Sequence, residues 1–187
     1  MSESVLPQRR TLLLGLAVVG LAPLAGCMTK PLRAVNADGT YCYRIGKSYR
    51  PTLTCTPTAV PTDAVEAEAK RFEADPAALT VYVLRSRWGD ASVVVPVTVD
   101  GAASATTIPV SLVRLRLKPG AHRVSALWEG RSNDVSVEGR AGDLRVVELV
   151  GSGWAWGTSF SWQMAQAESV KARAQASKLV ADLDLRG

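Results

Sequence analysis

From Leu79 to Met164 the apolar residues recur at every second position, interrupted by turn residues about every eight to twelve positions. Few folds accept that pattern. Leu79–Arg85 is rich in β-branched and aromatic residues, and Ser92–Asp100 carries Val93, Val95, Val97 and Val99 on one parity before the turn pair Asp100-Gly101. Val113, Leu115 and Leu117 alternate with Arg114 and Arg116, which predicts a strand with one face in water. Lys118-Pro119-Gly120 turns the chain into Ala121–Trp128, where Val124, Ala126 and Trp128 align, and Glu129-Gly130 turns it again. Asn133–Glu138, Asp143–Val150 and Thr158–Met164 complete a set of six or seven short strands. The expected fold is mainly β, a sandwich of two sheets.

Helices are expected on either side. Thr62-Asp63 precedes a short stretch, 64–72, with acids early, bases late, and Val65, Ala69 and Phe72 on one side. That helix is expected to lid the sheet. Glu168–Leu183 is Ala-rich, with Met164, Ala167, Val170 and Ala174 in a thin apolar stripe, and predicts a shallowly docked C-terminal helix.

The N-terminal stretch has a different character. Arg9-Arg10 precedes an apolar run over 12–25 that is short for a membrane span and closes on small residues, the layout of an export signal. Leu24-Ala25-Gly26-Cys27 resembles the lipobox of the bacterial lipoproteins at all four positions. That resemblance implies cleavage before Cys27, a diacylglycerol thioether on its sulfur and an acylated (palmitate-type) amino terminus. Two or three acyl chains make a durable anchor. Met28, where an Asp would favour retention at the inner membrane, leans towards the outer membrane of a Gram-negative envelope. Arg9-Arg10-Thr11 also resembles a twin-arginine signal, from which Gln8 and Leu12 depart, so the export route stays open. The expected organisation is a signal peptide over 1–26, a tether with a disulfide loop over 27–62, and a β-sandwich domain with flanking helices over 63–187.

The strand block carries a second resemblance. Val81-Tyr82-Val83-Leu84-Arg85, Val99-Asp100-Gly101, Pro119-Gly120-Ala121-His122 and Ala141-Gly142-Asp143 fall in the order of an uncharacterised bacterial lipoprotein domain. They also look like the PEGA-type surface domains. The resemblance implies an immunoglobulin- or transthyretin-like β-sandwich with no established activity and no catalytic residues to carry over.

Cys42 and Cys55 are the other two cysteines, and in an oxidising compartment they most simply pair. Closing a loop of about 14 residues contributes on the order of 3 kcal/mol on the chain-entropy model. With His122 they make three possible ligands without zinc spacing, so no metal is expected. The loop also holds Tyr41, Tyr43 and Tyr49 beside Arg44, Lys47 and Arg50, with no acid from Tyr41 to Cys55. Tyr43, Tyr49, Arg44 and Arg50 suit a sugar, an anionic headgroup or a protein partner, or else pack the loop onto the domain.

Gly151-Ser152-Gly153-Trp154-Ala155-Trp156-Gly157 is the other unusual piece. Extended, Trp154 and Trp156 point the same way, as a stacking platform for a glycan or a protein contact, or as a cap on one end of the core. His122 is the single histidine, and a structural position at a strand start is expected of it. Glu148 is either a buried acid or part of an edge strand wet on both faces; the edge strand is expected. No serine elbow, phosphate loop or dinucleotide fingerprint appears. The formal charge of +5, with signs interspersed, gives no nucleic-acid block. The expectation is a non-enzymatic, cofactor-free envelope module held to the membrane by its lipid, contacting an envelope protein. A glycan ligand (peptidoglycan or lipopolysaccharide) is the alternative, and a hydrolase built on His122 a remote one.

Overall fold

In a computed structural model the described residues are 33–187 apart from 48–49, 87–89 and 155–156, with backbone alone at 46, 47, 50, 103, 104 and 154. Cys27 and the expected signal peptide therefore lie outside the described residues, as do Tyr49, Trp156 and the side chains of Arg50 and Trp154. The chain runs β1 (Cys42–Lys47), β2 (Arg50–Cys55), α1 (Asp63–Ala69), β3 (Leu79–Arg85), β4 (Val95–Val99), β5 (Ala103–Thr107) and β6 (Ser111–Leu117). It continues through β7 (Gly120–Trp128), β8 (Arg131–Gly139), β9 (Leu144–Trp154), β10 (Gly157–Ala165), α2 (Ala167–Gln175) and β11 (Lys178–Leu185). The protein is mainly β, as the alternation predicts.

A five-stranded sheet in the order β10-β9-β3-β6-β11 and a four-stranded sheet in the order β5-β4-β7-β8 share one core. Val81, Val83, Val113, Leu115, Val147 and Leu149 of the larger sheet meet Val95, Val97, Val99, Val124, Ala126 and Val137 of the smaller. These are the alternating residues of the sequence, and their burial supplies the main driving force for the fold. Glu129 and Gly130 both take positive φ, 48° and 72°, as a two-residue hairpin turn requires.

The outer face of the larger sheet is also covered. Tyr82, Leu84, Leu112, Val146 and Leu179 pack against Ala69 of α1 and Val170 and Ala174 of α2. Thr62 caps α1 by accepting a hydrogen bond from the Val65 amide, and the Tyr82 hydroxyl donates to Ala69 O at 2.7 Å. Strand β3 is consequently buried along its whole length.

Three expectations need correction here. Residues 178–183 are not helix: α2 stops at Gln175, and β11 lies parallel to β6, with Leu179 opposite Leu112 and Leu183 opposite Leu115. Leu179 on the outer face and, past a bulge at Val180, Ala181, Leu183 and Leu185 towards the core, together with the open edge of β6, outweigh the local alanine content. The Arg114 face of β6 is not wet. Arg114 is buried, bonded to both Glu68 carboxylate oxygens at 2.6 Å and to Asp182 at 2.8 and 2.9 Å. Strand β9 is not an edge strand, because β10 and β3 flank it, and Glu148 is a buried acid held by Arg173 of α2.

The remaining ionic contacts under the helices follow the same logic. Lys178 pairs with Glu66 and reaches Asp63 at 3.4 Å, and Lys70 meets Glu66 at 2.6 Å. Charges withdrawn from water need such partners.

Candidate functional site

The pairing registers bring several connections to one end of the domain. Arg85 closes β3 opposite Ser111, which starts β6. Strand β4 begins beside it at Val95, and β9, parallel to β3, runs beyond it to Trp154. At this end the Arg85 guanidinium binds both oxygens of Asp90, at 2.7 and 3.1 Å. It also donates to the carbonyls of Ala91 (2.6 Å), Val93 (2.8 Å) and Thr107 (3.2 Å) and sits 5.0 Å from the Phe160 ring centre. Burial pushes the Asp90 carboxyl above its ordinary pKa even with the guanidinium beside it, and lowers that of Arg85, which still stays charged.

This ion pair fixes Asp90 and Ala91 against β9 and β10. A Cβ on Gly151 would stand 2.0 Å from Asp90 Oδ1, and one on Gly153 would touch Ala91 at 3.6 Å. On its other side the same segment receives the disulfide hairpin, where Thr54 Oγ1 donates to Ser92 O at 3.0 Å. The two stretches that stand out in the sequence, the Tyr/Arg loop and the Gly/Trp stretch, are thus joined through residues 90–92.

Beside them a groove of about 520 Å³ opens between the edge strands β8 and β10. Its lining includes Trp128, Arg131, Asn133, Thr158, Ser159 and Phe160. Trp128 meets Phe160 edge-on, 5.6 Å between ring centres, and Trp162 Nε1 donates to Asn133 O at 2.8 Å. Trp128 Nε1 is buried without a hydrogen-bond partner among the described residues. Aromatic carbon flanked by guanidinium, amide and hydroxyl groups offers one apolar wall and several directional polar contacts.

The two cysteines face each other across the hairpin register and form the disulfide, with Cα atoms 3.9 Å apart. Tyr41 is fully buried with its hydroxyl pushed up to about 12, chiefly by burial. Tyr43 packs against the core, its pKa also raised by burial, and Arg44 is exposed. The hairpin therefore uses Tyr41 and Tyr43 for packing and turns Arg44 outward. Trp154 ends β9 opposite Gly157, the first residue of β10, at this same end.

His122 lies at the opposite end. Its Nδ1 is 2.7 Å from Asp100 Oδ2 and its Nε2 is 2.8 Å from Lys118 O, so both ring nitrogens are occupied in tying two turns together. The adjoining cavity is lined by Val99, Ala102, Leu117 and Leu185 beside Asp100 and Asp184, with no hydroxyl or thiol among its described residues. No group of three or more His, Cys, Asp or Glu placed for a metal ion occurs among the described residues. No described helix is long and apolar enough to cross a membrane.

Asp90 and the groove around Trp128 carry no motif in the sequence, and Arg85 enters it only as the last residue of Val81–Arg85, without a role. The available signals are a cation closing an apolar run at Arg85 and a tryptophan on the core parity of β7. Comparison with family models, with curated proteins and with solved structures finds no match.

Proposed function

We propose that this protein is a lipid-anchored, non-catalytic module of the bacterial cell envelope that binds a partner protein through the end bearing residues 90–92 and the paired ends of β9 and β10. The observation that carries this reading is the convergence of the two sequence-nominated stretches on one rigid seam, clamped by Arg85 and Asp90. A surface assembled from separate connections on a stiff scaffold suits recognition, whereas His122 is engaged at both nitrogens. We read the paired sheets as an immunoglobulin- or transthyretin-like sandwich. Its antiparallel hairpins support that reading, and the parallel pairs β3·β9 and β6·β11 are departures from it. The lipobox over 24–27 supports acylation at Cys27 and a periplasm-facing position on the outer membrane.

The test is capture with crosslinking of the full-length protein in its own membranes. Trp154→Ala is expected to lose partners that the parent retains, while Cys27→Ser leaves the membrane fraction. Identical crosslinks in Trp154→Ala and the parent would remove the assigned surface.

The groove favours one second reading, a glycan ligand. Arg131, Asn133, Thr158 and Ser159 make no side-chain hydrogen bond within the protein among the described residues, beside the Trp128 and Phe160 rings. Ring hydroxyls of a peptidoglycan or lipopolysaccharide sugar match such a set. Asn133→Ala and Trp156→Ala then weaken retention on peptidoglycan or lipopolysaccharide without lowering the melting temperature.

A further inference from the structure

The position at which the chain joins the folded domain decides which face an anchored molecule turns to its membrane. Arg33, Ala34 and Val35 lie beside Val60, Pro61 and Lys178, and the backbone of Arg33 hydrogen-bonds the Tyr41 side chain at the foot of the hairpin. Arg33 is six residues from Cys27 in the sequence, a reach of at most about 20 Å however the intervening chain runs. A domain on so short a leash keeps this end close to whatever holds Cys27.

The surface beside that junction has interfacial chemistry. Leu53 of β2 is 51% exposed and Val94 is 36% exposed, two of the four large apolar side chains left open among the described residues. They flank the Thr54–Ser92 hydrogen bond that joins hairpin to domain. Arg44, opposite Leu53 in the hairpin register, is exposed, and Tyr41–Cys55 contains no acid. Apolar side chains set among cations match the boundary of a bilayer, where acyl carbon meets anionic headgroups.

We propose that the part of the disulfide hairpin bearing Arg44 and Leu53, together with the Ser92–Val94 segment, forms a membrane-contacting face, seating the domain on the phospholipid leaflet that holds its anchor. The proposal rests on acylation at Cys27. It rests the end bearing residues 90–92 on the leaflet, so that the partner of the proposed function is one held in the same membrane and met at the rim of this face, and it turns the His122 end outward. Strand β4 runs from this face at Val95 to Asp100, and five extended residues span about 16 Å, so Ala102 stands well away from the leaflet.

The experiment uses the full-length protein, processed in a bacterium and reconstituted in phosphatidylethanolamine/phosphatidylglycerol vesicles. Single cysteines introduced as Leu53→Cys, Val94→Cys or Ala102→Cys carry an environment-sensitive dye, and headgroup-nitroxide lipid serves as quencher. All three positions are exposed, and Cys42 and Cys55 are paired, so labelling is specific. Quenching several-fold stronger at 53 or 94 than at 102 is expected. Equal quenching at all three, in protein that has incorporated labelled palmitate, overturns the seating while leaving the anchor intact. Protein that takes up no palmitate overturns the anchor and the seating with it.

Discussion

Arg85 and Asp90 are joined by two parallel hydrogen bonds, Nε to Oδ2 and Nη2 to Oδ1, between side chains that are both out of solvent. The pair also holds three backbone carbonyls, so it pins a connection that has no strand of its own. Arg85→Met leaves a buried carboxylate without its counter-charge and is expected to cost about 3–5 kcal/mol in urea unfolding. Asp90→Asn, which keeps a polar partner, costs less. A loss below about 1 kcal/mol for Arg85→Met would show that the pair does not hold this end together.

Gly151 and Gly153 give a matched comparison on the same strand. A methyl on Gly151 meets Asp90 Oδ1 at 2.0 Å and Phe160 Cε1 at 2.8 Å, and Asp90 cannot retreat while Arg85 grips it. Gly151→Ala is expected to destabilise by about 1–3 kcal/mol through overpacking. Gly153→Ala makes only an ordinary contact with Ala91, and its unfolding midpoint stays within error of the parent or rises. Equal losses at both positions would contradict the close approach at Gly151.

Acid should loosen the helical cover of the larger sheet. Hydrogen bonds from Arg114 hold the Glu68 carboxyl below its ordinary pKa. Burial opposes ionisation of Glu66 and Asp182, but Lys178 and Lys70 outweigh it for Glu66, and Arg114 and Arg116 for Asp182. Folded values below unfolded ones mean that the unfolded chain binds more protons in the window between them, so stability rises with pH there. The contribution is complete above the unfolded values of about 4 and fades as pH falls through the folded ones. The melting temperature is expected to fall below about pH 4, with a shallower slope in Asp182→Asn. An unchanged slope in that variant would mean that the Arg114 cluster is not coupled to folding.

Reducing the Cys42–Cys55 bond frees a hairpin whose exposed side chains outnumber its buried ones among the described residues. The expected loss is about 3 kcal/mol on the chain-entropy model. Hydrogen exchange should rise in β1 and β2 while β3, buried on both faces, keeps its protection. Uniform loss of protection across β3 and β9 would show instead that the hairpin is integral to the core.

The strands of the central block are legible because each buries one parity against the other sheet, as Val95, Val97 and Val99 do. Asp100-Gly101 announces its turn because Asp-Gly takes positive φ readily, and Gly130 marks the second turn although Glu129 before it holds an uncommon positive φ. Strand β5, Ala-Ser-Ala-Thr-Thr, lacks the apolar contrast that marks a strand and exists because β4 pairs with it. Arg114 and Glu148 read as water-facing because a sequence does not show which helix covers a sheet. The candidate groove is illegible for a similar reason: Trp128 and Phe160 lie on different sheets, whose edges meet only after folding.

The parallel seam between β6 and β11 has a consequence for how the molecule is made. Asp182 lies 68 residues after its partner Arg114, and synthesis delivers the chain from its amino end. Until Lys178–Leu185 arrives, a ladder of unpaired amides along β6 stands open, with the Arg114 guanidinium lacking one of its two acids. During that interval the edge of β6 is open to any other extended segment, and the pairing of β11 closes it.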